Sequence, residues 1–106
     1  MRILLDECVP RGLKKHFRDR GEVWTVTDAG LSGYKNGQLL RQITGDFNVF
    51  ITVDKSIQHQ QNLRAYDVAF ALLRVPSNDI VDIEPTLPRL FARWHELRPG
   101  TLLIIE

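Results

Sequence analysis

Cysteine is nearly absent: Cys8 is the only one in 106 residues. A single thiol excludes an internal disulfide and any cysteine-based zinc cage, and it suits a reducing compartment. No apolar run is long enough for a signal peptide or a membrane span, since Met1 leads directly into Ile3-Leu4-Leu5 and then an acid. The expectation is a cytoplasmic protein with no membrane partner. The formal charge of +1 excludes a chain-wide attraction to nucleic acid, so any such role needs local clustering of basic groups. The histidines, His16, His59 and His95, lie too far apart on separate segments for a shared zinc site. No glycine-rich dinucleotide fingerprint follows the first strand, and there are no repeats, low-complexity segments or linkers. What remains is ordinary for a globular chain, with 43% hydrophobic and 25% charged residues. One domain spanning residues 1–106 is expected.

The apolar run Ile3-Leu4-Leu5 reads as a buried central strand, because parallel strands in α/β folds are apolar on both faces. Pro10 fits the first turn of a following helix. Val9, Leu13 and Phe17 turn its apolar side inward, Arg11, Lys15 and Arg18 occupy the other side, and Gly21 ends it. Val23 to Val26 is a second strand. A glycine-containing loop covers Asp28 to Asn36. A short helix carrying Leu39, Leu40 and Ile43 follows, with Asn36 as its N-cap. Val49 to Val53 is the third strand, with a helix after Asp54, and Asp67 to Leu73 is the fourth. Asn78 to Leu97 has helical spacing that Pro85 splits. Thr101 to Ile105 is the last strand. Regular alternation predicts an α/β fold with a mostly parallel five-stranded sheet and helices on both faces. The expected strand order is 2-1-3-4-5.

In an open parallel sheet, ligands bind beyond the carboxyl ends of the strands, where the strand order reverses. Here that point lies between the first and third strands. Both run into a carboxylate, in Leu4-Leu5-Asp6-Glu7 and in Thr52-Val53-Asp54. Like charges held together there call for a proton or a cation between them. Oxygen ligands of this kind suit Mg²⁺ or Mn²⁺. Either acid alone has a simpler explanation, because an Asp after a strand is often only a helix N-cap. It is the pairing at one sheet edge that points to function.

The remaining features are less specific. Glu7 is either an auxiliary acid or an exposed loop residue, and Asp28 is either a site residue or part of a turn. Lys35, Asn36 and Gln38 lie in or just after the glycine loop, within reach of the rim. Lys55 follows Asp54 and either holds a phosphate or offsets the carboxylates. Cys8 reads as a small, partly buried residue. The basic side of the first helix either tracks a phosphodiester backbone or is simply solvated. The polar run from Gln58 to Asn62 would serve an RNA groove or a protein interface.

The order and spacing of Leu4-Leu5-Asp6-Glu7, Asp28-Ala29-Gly30, the Gly33 to Leu40 segment, Thr52-Val53-Asp54 and Leu73-Arg74-Val75-Pro76-Ser77-Asn78 resemble the PIN-like nucleases. The resemblance is to their compact bacterial toxin branch, the toxin halves of VapBC-type toxin–antitoxin pairs. It implies a single PIN-like domain and metal-dependent endoribonuclease activity with Mg²⁺ or Mn²⁺. Asp6 and Asp54 would be the metal ligands, with Glu7 as a further acid. Lys35, Asn36, Gln38 and Lys55 would contact substrate. The implied partners are an RNA and a helix-turn-helix antitoxin, in a homodimer or a toxin–antitoxin hetero-oligomer. One departure stands out. Asn36 and Gln38 stand where the family's helix acid is expected, which implies a thinner metal site and slow turnover on a structured RNA.

Two other readings use the same residues. A non-catalytic partner-binding module on a PIN-like scaffold accommodates the missing acid. A receiver-like phosphoacceptor domain would also place acids after the first and third strands. It further needs a hydroxyl ending the fourth strand and a lysine ending the fifth, where this chain has Leu73-Arg74 and Ile105-Glu106.

Overall fold

A computed structural model of the chain describes every residue except Gln61, and every side chain except those of Asn36 and Gln61. Five strands form one all-parallel sheet: β1 (Arg2–Leu5), β2 (Glu22–Thr25), β3 (Val49–Thr52), β4 (Ala69–Leu73) and β5 (Leu102–Ile105). Their order is β2-β1-β3-β4-β5, as the alternation of elements predicts. Three α-helices connect them, α1 (Asn36–Ile43), α2 (Ile80–Ile83) and α3 (Leu87–Ala92). Among the described residues no helix is long and apolar enough to cross a membrane.

The period-2 alternation of the strands sorts their side chains onto two faces. Ile3, Leu5, Val49, Ile51, Ala71 and Leu73 face one way. They meet Leu13 and Phe17 from the first crossover and Ile83, Leu87 and Leu90 from the last. Leu4, Phe50, Phe70 and Leu72 face the other way, against Leu39, Leu40 and Ile43 of α1 and against Phe47 and Ile57. Helical segments therefore cover both faces. Edge-to-face ring pairs lock each layer, with Phe17 against Phe91 at 5.4 Å on one side and Phe50 against Phe70 at 6.3 Å on the other.

Several elements differ from expectation in form. The first crossover is not an α-helix but two 3₁₀ segments, Arg11–His16 and Arg18–Arg20. Its hydrogen bonds run Leu13 N–H to Pro10 O, Phe17 N–H to Lys14 O and Arg20 N–H to Phe17 O, each spanning three residues. Gly12 weakens any α-helix started at Pro10, while the tighter turns still bury Val9, Leu13 and Phe17. The N-cap position of α1 is Lys35, so Asn36 is the first helical residue rather than the cap. The segment after Asp54, Lys55–His59, is also 3₁₀. Strand β4 begins at Ala69 rather than Asp67. Pro85 interrupts the long apolar stretch as expected, within a 3₁₀ turn between α2 and α3.

Gly21 turns the chain from the first crossover into β2 at φ 152°. A Cβ there would stand 2.2 Å from the Met1 carbonyl oxygen, which accepts the Glu22 N–H at 2.9 Å. Gly21→Ala should therefore lower stability by about 1–3 kcal/mol. The urea midpoint should fall at unchanged m-value. An unchanged midpoint would show that the β1–β2 entry tolerates displacement.

Candidate active site

Strands β1 and β3 lie side by side in the register Ile3–Val49, Leu4–Phe50 and Leu5–Ile51. The ladder continues one step, with Asp6 N–H donating to Ile51 O at 2.9 Å. Asp6 and Thr52 therefore emerge at the same level, where both apolar runs end. Thr52 is fully buried, so its hydroxyl needs partners. It donates to Asp6 Oδ2 at 2.6 Å and accepts from Asp54 N–H at 3.0 Å. One hydroxyl thus ties the first acid to the backbone of the second.

The two carboxylates are held differently. Asp6 Oδ1 accepts the Glu7 N–H at 2.7 Å, while Oδ2 takes the short Thr52 bond. Asp54 Oδ1 accepts the Ser56 N–H at 2.9 Å and so caps the 3₁₀ segment that follows. Capping and ligation are compatible, because an ionised carboxylate offers about four lone-pair directions. Cys8 Sγ sits 3.5 Å from Asp6 Oδ2 and 3.6 Å from Thr52 Oγ1. Burial pushes the Cys8 thiol up from its ordinary value, and the Asp6 charge adds to the shift. The group is thus a neutral thiol near pH 7 rather than a thiolate nucleophile, and it lines the same cavity as the acids.

Asp6 and Asp54 open into a cavity of about 420 Å³ between the ends of β1 and β3 and the N-terminal end of α1. Glu7 and Lys35 line it too and are exposed. Gln38 and Lys55 are exposed but lie outside its lining. The side chain of Asn36 falls outside the described residues. Four of the residues expected at the site thus meet in one place: Asp6, Glu7, Lys35 and Asp54. Among the described residues no group of three His, Cys, Asp or Glu side chains is arranged to hold a metal ion. Any divalent ion would rest on two carboxylates with water completing its shell, an arrangement that Mg²⁺ accepts.

Sequence reasoning overlooked Thr52 and Tyr34 as cavity residues, while Gln60, from the polar run read as serving an RNA groove or a protein interface, is in the cavity lining. Thr52 had a readable signal, a hydroxyl closing the otherwise apolar run Val49 to Ile51. Tyr34 and Gln60 come from loops whose placement local pattern does not set.

Asp28 belongs to the structure rather than to the cavity. Its Oδ1 accepts from Arg11 at 2.8 Å, and its Oδ2 accepts from Lys14 Nζ at 2.7 Å and from Thr25 N–H at 3.1 Å. Thr25 Oγ1 returns the favour to Asp28 N–H at 3.0 Å. This network ties the first crossover to the end of β2. It also engages Arg11, leaving Lys15 and Arg18 as the exposed cations of that segment. The hydrogen bond from Lys14, then that from Thr25, hold the Asp28 carboxyl well below the usual carboxylate range.

No family model, curated protein or solved structure matches the chain.

Two outcomes follow from these contacts. Thr52→Val removes the hydroxyl at nearly constant volume and should cost about 1.5–3 kcal/mol, the usual scale for a bond to a charged group. Thr52→Ser should restore most of it, and equal urea midpoints for all three proteins would refute the link. Asp28, whose folded pKa is depressed, stabilises the fold fully above the ordinary value of about 3.9. That contribution is lost as pH falls towards the folded value. Asp28→Asn has no carboxyl to protonate there, so its stability should decline less steeply in acid than that of the wild type. Parallel acid limbs would mean that the ion pairs contribute nothing.

Proposed function

We propose that the chain is a divalent-metal-dependent endoribonuclease, the toxin of a toxin–antitoxin pair. Asp6 and Asp54 are its metal ligands and Glu7 is an auxiliary acid. One observation supports this most: two acids that follow adjacent parallel strands, the Asp6 carboxylate tied through the Thr52 hydroxyl to the backbone N–H of Asp54, open onto a single cavity with Lys35. Asp6 and Asp54 offer hard oxygens, which suit Mg²⁺ or Mn²⁺. When bound, such an ion lowers the pKa of a coordinated water and offsets charge on the scissile phosphate.

The chain's own residues supply the rest. Thr52 and the Glu7 N–H fix the Asp6 carboxylate, so its orientation costs nothing at the moment of reaction. Lys35, at the cavity, neutralises one phosphate. Lys55, Gln38, Lys15 and Arg18 are exposed and supply cations and donors for the RNA backbone, so RNA binding weakens as salt rises. Glu7 lines the cavity beside Asp6 and Asp54. With only two ligating acids, turnover is slow. A helix-turn-helix antitoxin restrains the protein, which forms a homodimer or a hetero-oligomer matching the two-fold symmetry of its partner.

A second reading has specific support. Among the described residues no group of three His, Cys, Asp or Glu side chains is arranged to hold a metal ion, and both carboxylates already serve the fold. A non-catalytic partner-binding module on the same scaffold fits those facts.

Cleavage separates the two. Purified protein should cut bacterial RNA with Mn²⁺ or Mg²⁺ and stop on addition of EDTA. Asp6→Asn and Asp54→Asn should each lose about a hundredfold or more in rate, because even groups that merely support a metal ligand contribute 10–100-fold. Circular dichroism must show both variants folded. If neither metal yields cleavage, and expression of Asp6→Asn slows bacterial growth as much as wild type does, the module reading replaces the nuclease.

A further inference from the structure

We infer that the cavity beside the two carboxylates is a pocket for one unstacked nucleobase, with Tyr34 as its stacking wall and Gln60 as the group that reads the base's edge. The inference rests on the nuclease reading for the nature of the ligand and extends it to substrate choice.

The cavity's lining combines charged and apolar side chains. Asp6, Glu7, Asp54 and Lys35 give it charge, while Leu39, Leu40, Phe50 and Ile57 contribute hydrocarbon. Those four are buried members of the core layer under α1. A phosphodiester backbone alone has no use for such a floor. Phosphate and ribose are polar, and a backbone-only groove is lined by cations, yet among the described residues Lys35 is the one basic side chain in the lining. A nucleobase has the complementary character: flat apolar faces with donors and acceptors around the rim. The volume of about 420 Å³ lies in the range of pockets that enclose one small ligand. It is too small for a helix of paired bases.

Two lining residues match the two parts of a base. Tyr34 is half-buried and packs on the core layer under α1, and a turn hydrogen bond from its N–H to Leu31 O at 3.1 Å fixes its backbone. A ring held in this way stacks at little entropic cost, and stacking on aromatic rings is a general means of holding unpaired bases. Gln60 is half-buried as well, and its N–H to Ile57 O bond of 3.2 Å sets its place. Its amide lies against the first turn of α1, with Nε2 3.8 Å from where a Cβ on Gly37 would stand. An amide both donates and accepts, so it can pair with the edge of a base and favour some bases over others.

Duplex RNA hides its bases from such a pocket. The substrate is therefore an unpaired base, as in the loop of a structured RNA, with the adjoining phosphate at the acids. Specificity then lies at the nucleotide next to the cut.

Base binding can be read without cleavage. Isotope-labelled protein in EDTA is titrated with the four nucleoside 5′-monophosphates and, separately, with ribose 5-phosphate. Amide signals of Tyr34, Ile57 and Gln60 should shift with the nucleotides, saturate at lower concentration for one base than for the others, and move little with the sugar phosphate. Tyr34→Ala should weaken nucleotide binding about tenfold or more, while Tyr34→Phe should keep it. Gln60→Ala should level the preference among bases. Equal shifts with ribose 5-phosphate, or nucleotide affinity unchanged in a folded Tyr34→Ala protein, would overturn the pocket. Cleavage that depends on Asp6 but shows no base preference beside the cut would leave the nuclease standing and remove this inference. Base binding without any cleavage would keep the pocket and remove the nuclease.

Discussion

The pairing of β1 with β3 is the constraint from which everything else follows. Ile3, Leu4, Leu5, Phe50 and Ile51 are each exposed by 3% or less, and burying such a side chain contributes roughly 1.5–3 kcal/mol. A slip of one residue would exchange the two faces of a strand. Leu5 and Phe50 would then meet the wrong helical layers, so the register is firmly set. The same register brings Asp6 level with Thr52, where both hydrophobic runs stop. The site is thus the polar end of two deeply buried strands, and its position is inherited from the core.

At that end the chain faces an electrostatic difficulty. Two carboxylates sit beside a low-dielectric interior, where charge is costly. The buried Thr52 hydroxyl relieves part of it by donating to Asp6 and orienting the backbone that leads to Asp54. Buried polar side chains are otherwise few: Thr25 and Thr86 complete the set among the described residues. Each bonds nearby, Thr25 to the Asp28 N–H and Thr86 to Ile83 O. Asp28 shows the contrasting solution for an acid at a strand end. Arg11 and Lys14 neutralise it outright, so it has no call for a bound cation. Asp6 and Asp54 lack such partners among the described salt bridges. That difference supports cation binding between them rather than at Asp28.

Much of this was legible in the sequence. Apolar runs without alternation mark strands buried on both faces, and regular alternation with helical segments leaves few topologies open. Strand order and the meeting of Asp6 with Asp54 at one edge came from that logic. The form of the crossovers did not. Val9, Leu13 and Phe17 recur every four residues whether the chain makes α turns or the 3₁₀ turns observed. Side-chain periodicity at that length does not distinguish the two. Distant partners were equally hidden: nothing local to Asp28 names Arg11 and Lys14 as its counter-charges. Lys55 shows the converse, since adjacency to Asp54 in sequence does not bring its side chain into the cavity lining. Tyr34 and Gln60 reach the cavity through loops, which follow the packing of other elements.

The central claim is that Asp6 and Asp54 hold one divalent ion together. Calorimetric titration with Mn²⁺ tests it most directly, with wild type, Asp6→Asn, Asp54→Asn and the double variant each first shown to be folded. One binding event per chain in the wild type, abolished equally by either single substitution and not weakened further in the double variant, is the predicted result. Binding that survives in both single variants at wild-type affinity would contradict it and return these two acids to the fold alone.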